Sequence, residues 1–313
     1  MATMALRVTI TGATGLIGRG LVEALRGRNV EVSVLSRDPS RARERFAKDG
    51  GPPVQAFAWD LMREPAPVDA LSGRDAVVHL AGENVAQRWS EQAKRTIRDS
   101  RVVGTRNLLA GLLEAQPRPR TLIAGSAIGY YGAHGEEPLD EDAPAGSDFL
   151  AGVCVDWEAE AQQATDLQIR VVTVRTGVVL DSQGGALAKM LPPFRLGVGG
   201  PVAGGRQYVS WIHRDDEVGM IVAALKDERW SGPINATAPE PVTNRELSHA
   251  LGRALHRPAL LPVPGAALGL LYGEMAQVVT TGARVVPAKP LVLGYEFRHP
   301  QLDEALESAL KVA

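Results

Sequence analysis

Gly12-Ala13-Thr14-Gly15-Leu16-Ile17-Gly18 is a glycine-spaced turn whose residue types suit the holding of phosphate. Gly12 permits a tight turn, Gly15 lets a phosphate approach the backbone, and Gly18 lets the next helix pack close to the preceding strand. A helix opening at this point offers unpaired N–H groups and the positive end of its dipole to an anion. Ser36-Arg37 is the second candidate. An NAD-type dinucleotide fold wants an acid there to take the ribose hydroxyls, whereas a guanidinium grips a 2′-phosphate bidentately. NADP(H) is therefore expected ahead of NAD(H), with Asp38 as the opposing signal. Arg41, Arg43, Arg45 and Lys48 read as a solvated helix face.

The elements that must position these groups are legible around them. Leu6 to Thr11 is a short β-branched strand, and Leu16, Ile17, Leu21, Val22 and Leu25 line one face of a helix. Gly27 and Asn29 punctuate it before a strand from Val30 to Leu35. Val54 to Ala58 is a third strand, and Asp60-Leu61 follows it at a turn. Asp75 to Ala81 is a fourth, running into Gly82, Glu83 and Asn84 at the edge where open α/β sheets place ligands. His79, inside that apolar run, reads as a core histidine. A long helix spans Trp89 to Glu114, a fifth strand Thr121 to Gly125, and a sixth Ile169 to Arg175. Regular alternation implies an α/β fold with a doubly wound parallel sheet of the Rossmann kind. From Gly177 the texture changes, and residues 178–212 read as a loop-rich, substrate-facing section. Later pieces include a helix capped by Thr243 with Glu246, one near Ala267 to Val279, and a tail from Ala305 to Val312. The expected division is a dinucleotide-binding domain over 1–235 and a small C-terminal domain over 236–313.

Composition limits the function classes. The 34 basic and 36 acidic residues nearly cancel, which gives no reason to expect a nucleic-acid surface or a membrane patch. No apolar run approaches the ~20 residues of a membrane span. One cysteine, Cys154, excludes an internal disulfide and a cysteine-based zinc site, and six scattered histidines show no metal-ligand spacing. The expectation is a cytoplasmic protein with a small-molecule substrate and no metal, its oligomeric state left open.

TGATGLIG resembles the opening of the extended short-chain dehydrogenase/reductases. GSAIGYYG, the FLAGVCVDWEAEA helix, GGRQYVSWIH, NATAPEPVTNRELSHAL and GYEFRHPQLDEAL are together similar to one atypical branch, the epimerase-family or sugar-nucleotide-epimerase-like proteins, which carry a small C-terminal domain. The resemblance implies that Asp60 and Leu61 lie at the adenine edge, that Ala81 and Gly82 touch cofactor, and that Ser126 is the serine following strand five. Family members usually add a Tyr-x-x-x-Lys pair on the next helix. Here that stretch reads Asp148 to Glu158 without tyrosine or lysine. Tyr130 or Tyr131, with Ser126, is the expected source of proton transfer beside the nicotinamide, although relatives often use the tyrosine matching Tyr131 as a wall rather than an acid. Glu158 could be a base or simply one half of a salt bridge. Arg206, Trp211 and His213 occupy a loop whose counterpart faces substrate, so with Asn84 they are the expected substrate contacts; loop anchoring, and helix capping by His213, are the competing readings. Asn235 and Pro239 resemble hinge positions. The implied function is hydride transfer between NADP(H) and a small carbonyl substrate. Alternatives are an NAD-dependent nucleotide-sugar epimerase or dehydratase and a non-catalytic NADPH-binding redox sensor.

Overall fold

The computed structural model describes residues 5–311 apart from Asn29 and Asp49, so the Asn29 turn and the Val312 helix end lie outside the described residues. The chain runs β1 (Arg7–Thr11), α1 (Leu16–Arg26), β2 (Glu31–Ser36), α2 (Pro39–Lys48), β3 (Gln55–Ala58), α3 (Val68–Leu71), β4 (Ala76–His79), α4 (Glu91–Glu114) and β5 (Thr121–Ala127). Next come β6 (Pro138–Leu139), α5 (Phe149–Gln162), β7 (Arg170–Thr176), β8 (Val178–Leu180), α6 (Gly185–Arg195), β9 (Tyr208–Val209), β10 (Trp211–His213), α7 (Arg214–Lys226) and β11 (Gly232–Ala236). It closes with β12 (Val242–Thr243), α8 (Asn244–Ala254), α9 (Gly265–Tyr272), α10 (Gln277–Thr280), β13 (Arg284–Val285), α11 (Ala288–Val292) and α12 (Leu302–Lys311).

Among the described residues, seven strands form one parallel sheet in the order β11-β7-β5-β4-β1-β2-β3. Strand side chains alternate between the faces, and both faces are covered, so successive residues must both be apolar. Val78 and Ile123 join the core with Leu21, Val22 and Leu25 of α1 and Ile221 of α7, while Val77 and Leu122 join Leu108 and Leu112 of α4 on the other side. The order reverses between β1 and β4, and β1, β2 and β4 converge their carboxyl ends there, which is where such sheets bind ligands.

The section expected to be loop-rich contains a helix. Gly184 opens α6, and Pro192 and Pro193 lie inside it, each removing a backbone donor. Leu187, Leu191 and Phe194, spaced to one face, bury against Leu247 and Leu251 of α8 and Leu306 of α12, and that packing overrides local propensity. Trp211 belongs to the same core. It is 1% exposed and its indole N–H donates to the Glu240 carbonyl, so the expected substrate contact is instead a packing residue of the smaller lobe. The helix expected over Ala267 to Val279 is split, because Gly273 turns the backbone into the left-handed region at φ 61°. The capping box forms: the Thr243 hydroxyl accepts from Glu246 N–H, and the Glu246 carboxylate accepts from Thr243 N–H at 2.7 Å. No helix among the described residues is long and apolar enough to cross a membrane.

Candidate functional site: a dinucleotide groove and a buried polar chain

The glycine turn closes as its residue types require. Gly12 has φ 68°, and a Cβ there would sit 2.7 Å from the Leu80 carbonyl carbon. A Cβ on Gly18 would stand 2.3 Å from the Gly12 oxygen, so α1 can lie against the turn only without a side chain at this position. Gly15 is the N-cap of α1 with no side-chain cap, and the first helical turn holds no acid. The opening N–H groups of α1 are thus left for an anion, which fits a pyrophosphate. Leu16 and Ile17 contribute this backbone only. The Leu16 side chain packs at Gly184 and Gly185, and Ile17 packs against the core.

An open groove of about 680 Å3 runs from this turn across the strand ends. Gly12, Ala13, Thr14, Gly15, Ser36, Arg37, Asp60, Leu61, Ala81 and Gly82 line it together. Arg41 and Arg45 line it too, so the helix face read as merely solvated borders the groove with two basic residues. Asp38, the opposing signal, caps α2: its Oδ1 accepts from Arg41 N–H at 2.9 Å. Asp60 accepts from Met62 N–H at 3.1 Å and also pairs with Arg63, so it both shapes the turn and borders the groove. His79 is fully buried, its Nδ1 2.7 Å from the Thr11 hydroxyl, and burial lowers its pKa to about 4.

Beyond Gly82 the chemistry changes. The β4–β5 register ends with His79 opposite Ala124, and Ser126, two residues on, is buried and is not among the residues lining the groove. The Ser126 hydroxyl donates to Glu158 Oε1 on α5 at 2.6 Å. Arg175, at the end of β7, clamps that carboxylate with two N–H groups at 2.9 Å each. Its Nη1 also donates to the Tyr131 hydroxyl at 2.9 Å and to the Glu141 carbonyl at 3.1 Å. Tyr131 in turn donates to Asn235 Oδ1 at 2.6 Å, and the Glu141 carboxylate receives the N–H groups of Asn235 and Lys289. The Arg175 guanidinium lies 3.5 Å from the centre of the Tyr130 ring, a cation–π contact.

This chain corrects one expectation. Tyr131 has no exposed surface, both its hydroxyl contacts are taken, and burial pushes its pKa up to about 12. It is a wall and a hydrogen-bond bridge, not an acid facing the groove. Cys154, beside Ser126 and Glu158, is held as a neutral thiol, since burial pushes it up to about 11. Arg101 packs its guanidinium near where a Gly82 Cβ would stand and over Trp157, donating to the Glu83 and Ile97 carbonyls. His213 is buried and caps α7, its Nδ1 accepting from Asp215 N–H at 3.1 Å, so the capping reading replaces the substrate contact. Asn84 is exposed just past β4, and its side chain accepts from Ala86 N–H. Arg206 is exposed on the small lobe before β9 and lines no part of the groove. Arg175 is the residue the sequence pattern passes over. Its signal is a cation set against the mostly apolar run Val171 to Val174, at the end of the strand that faces the site.

A family model described as NAD dependent epimerase/dehydratase family matches residues 8–235, and a domain of unknown function, DUF1731, matches 263–309. The chain belongs to the NAD dependent epimerase/dehydratase family. It is 41% identical over 97% of its length to the chloroplastic SDR39U1 homolog of Arabidopsis thaliana, an epimerase family protein, covering 86% of that relative. It is 40% identical to an epimerase family protein of Mycobacterium bovis, covering 96% of each chain. Among solved structures, human SDR39U1 with NADPH matches at a TM-score of 0.87 and 34% identity, covering 98% of this chain and 100% of that one. The UDP-glucuronic acid 4-epimerase of Bacillus cereus, with UDP-glucuronic acid and NAD, matches at 0.79 but 18% identity, a likeness of fold alone.

Proposed function

We propose that this chain binds NADP(H) in the groove and uses it for hydride transfer to or from a small carbonyl or alcohol. The observation that carries the reading is the pairing of an uncapped α1 N-terminus with Arg37, Arg41 and Arg45 on one groove, while Asp38 is engaged as a helix cap. The helix end takes the pyrophosphate and Arg37 takes the 2′-phosphate, with Arg41 behind it. Asp60 and Leu61 border the adenine, and Ala81 and Gly82 receive the nicotinamide end. The bound cofactor would give or accept a hydride there. That the human SDR39U1 structure holds NADPH supports the same choice. The groove's two halves can be tested apart. Adenosine 2′,5′-bisphosphate, carrying the 2′-phosphate, is expected to displace NADPH far better than 5′-AMP; equal displacement would remove Arg37 from the account.

A further inference from the structure

We infer that a cavity between α1, α2 and α7, beside the dinucleotide groove, is a second ligand site, built for a small molecule that carries two or more phosphate groups. The inference does not depend on the NADP(H) reading. It starts from an unbalanced charge. Arg26, at the end of α1, is 8% exposed. Its Nε donates to the Pro52 carbonyl at 2.7 Å and its Nη1 to the Phe46 carbonyl at 3.1 Å, so two of the five guanidinium N–H groups are used. A Cβ on Gly51 would stand 3.4 Å from Arg26 Nη2, and the glycine keeps that end of the guanidinium clear. Neutral carbonyls do not replace a counter-charge, and a cation taken out of water without one is costly.

The neighbours of Arg26 add to the excess. Arg19, Glu23 and Arg26 are spaced at i, i+4 and i+7, one stripe of α1. Arg19 Nε is sealed from solvent without a hydrogen-bond partner among the described residues. Arg45 of α2 joins Arg19 and Arg26 on the lining of an open cavity of about 500 Å3. Among the described residues, no carboxylate pairs with any of these three arginines. Arg214 lines the cavity as well but is neutralised, by Asp181 at 2.7 Å and Asp215 at 3.2 Å. Glu23, exposed on the rim, is the single acid among the described lining residues. The whole chain carries a formal charge of -2, so the positive excess belongs to this cavity and not to a basic protein.

The donor set defines the ligand's chemistry. Guanidinium forks match phosphate oxygens bidentately, which an ammonium does not. The Cα atoms of Arg19 and Arg26 are about 10 Å apart along the helix axis, more than one phosphate spans. A volume of about 500 Å3 also exceeds what a single phosphate fills, so the fit is to a di- or polyphosphate. Arg45 lines the dinucleotide groove too, whereas Arg19 and Arg26 line this cavity alone. Those two arginines therefore distinguish the site from the groove.

The test titrates the full chain with inorganic tripolyphosphate by calorimetry at low salt, with NADPH in excess to fill the groove. Wild type is expected to bind it. Arg19→Gln removes one of the unpaired charges and should weaken binding about tenfold or more. Glu23→Gln removes the opposing acid from an exposed position and should tighten binding about two- to fivefold. A gain of affinity cannot come from a misfolded chain. No binding by wild type, equal affinity in Arg19→Gln, or unchanged or weaker binding in Glu23→Gln would each overturn the site. So would binding that excess NADPH abolishes, which places the anion in the groove. If NADPH itself does not bind, the cofactor reading fails, and the two variants still decide this one from titrations without it.

Discussion

Glu217 offers a quantitative test of the interior. It lies in the first turn of α7 with its carboxyl fully buried. Oε1 accepts from the Thr176 hydroxyl at 2.8 Å, and Oε2 has no hydrogen-bond partner among the described residues. A helix N-terminus favours a charged acid, but burial dominates and raises the pKa from 4.5 to about 8. The sign follows. The folded chain keeps a neutral carboxyl at pH 7, whereas the unfolded chain ionises it above 4.5. Its favourable contribution is complete below 4.5, shrinks as pH rises, and is lost above about 8. A displacement of that size corresponds to on the order of 5 kcal/mol. Glu217→Gln keeps an acceptor for Thr176 and does not titrate. Urea unfolding midpoints across pH should show the variant matching wild type at the acid end. It should become more stable by several kcal/mol as pH passes about 8. A variant no more stable than wild type at alkaline pH, or one whose advantage grows toward acid, would refute the buried neutral carboxyl.

Other substitutions report on the site's supports. Tyr131→Phe leaves Asn235 Oδ1 and Arg175 Nη1 each short of a buried partner, a loss of about 1–3 kcal/mol by chemical denaturation. NADPH affinity should not change, and a matching loss of affinity would show that the phenol reaches the cofactor. Gly18→Ala must push α1 away from the Gly12 oxygen, so NADPH affinity should fall by about tenfold or more by fluorescence titration. Leu191→Ala is expected to cost about 2–5 kcal/mol, since Leu191 anchors α6 in the smaller lobe's core. An effect near zero would return that segment to the loop its prolines suggest.

What was legible in the sequence was local. The glycine turn, the strand before it and the helix after it are contiguous, and their chemistry depends on neighbours a few residues away. The turn from Gly12 to Gly15 and the strand ends around Ser36, Asp60 and Ala81 could therefore be expected beside one another. The polar chain could not. Ser126, Glu158, Arg175 and Asn235 come from β5, α5, β7 and β11, and only sheet register and helix packing bring them together. Trp211 and His213 misled for a related reason. They fall in a loop whose counterpart in the resembled family faces substrate, yet here one fills a core and the other caps a helix. In α6, Pro192 and Pro193 signalled a break that Leu187, Leu191 and Phe194 outweigh through tertiary burial.

The central claim is that this groove is built for a dinucleotide bearing a 2′-phosphate. A paired titration of cofactor-free protein with NADPH and NADH, in wild type and Arg37→Ala, tests it most directly. Charge-assisted bonds of about 1.5–3 kcal/mol predict a 10- to 150-fold preference for NADPH that largely disappears in the variant. Equal affinity for the two cofactors, or a preference that survives the loss of Arg37, would contradict it.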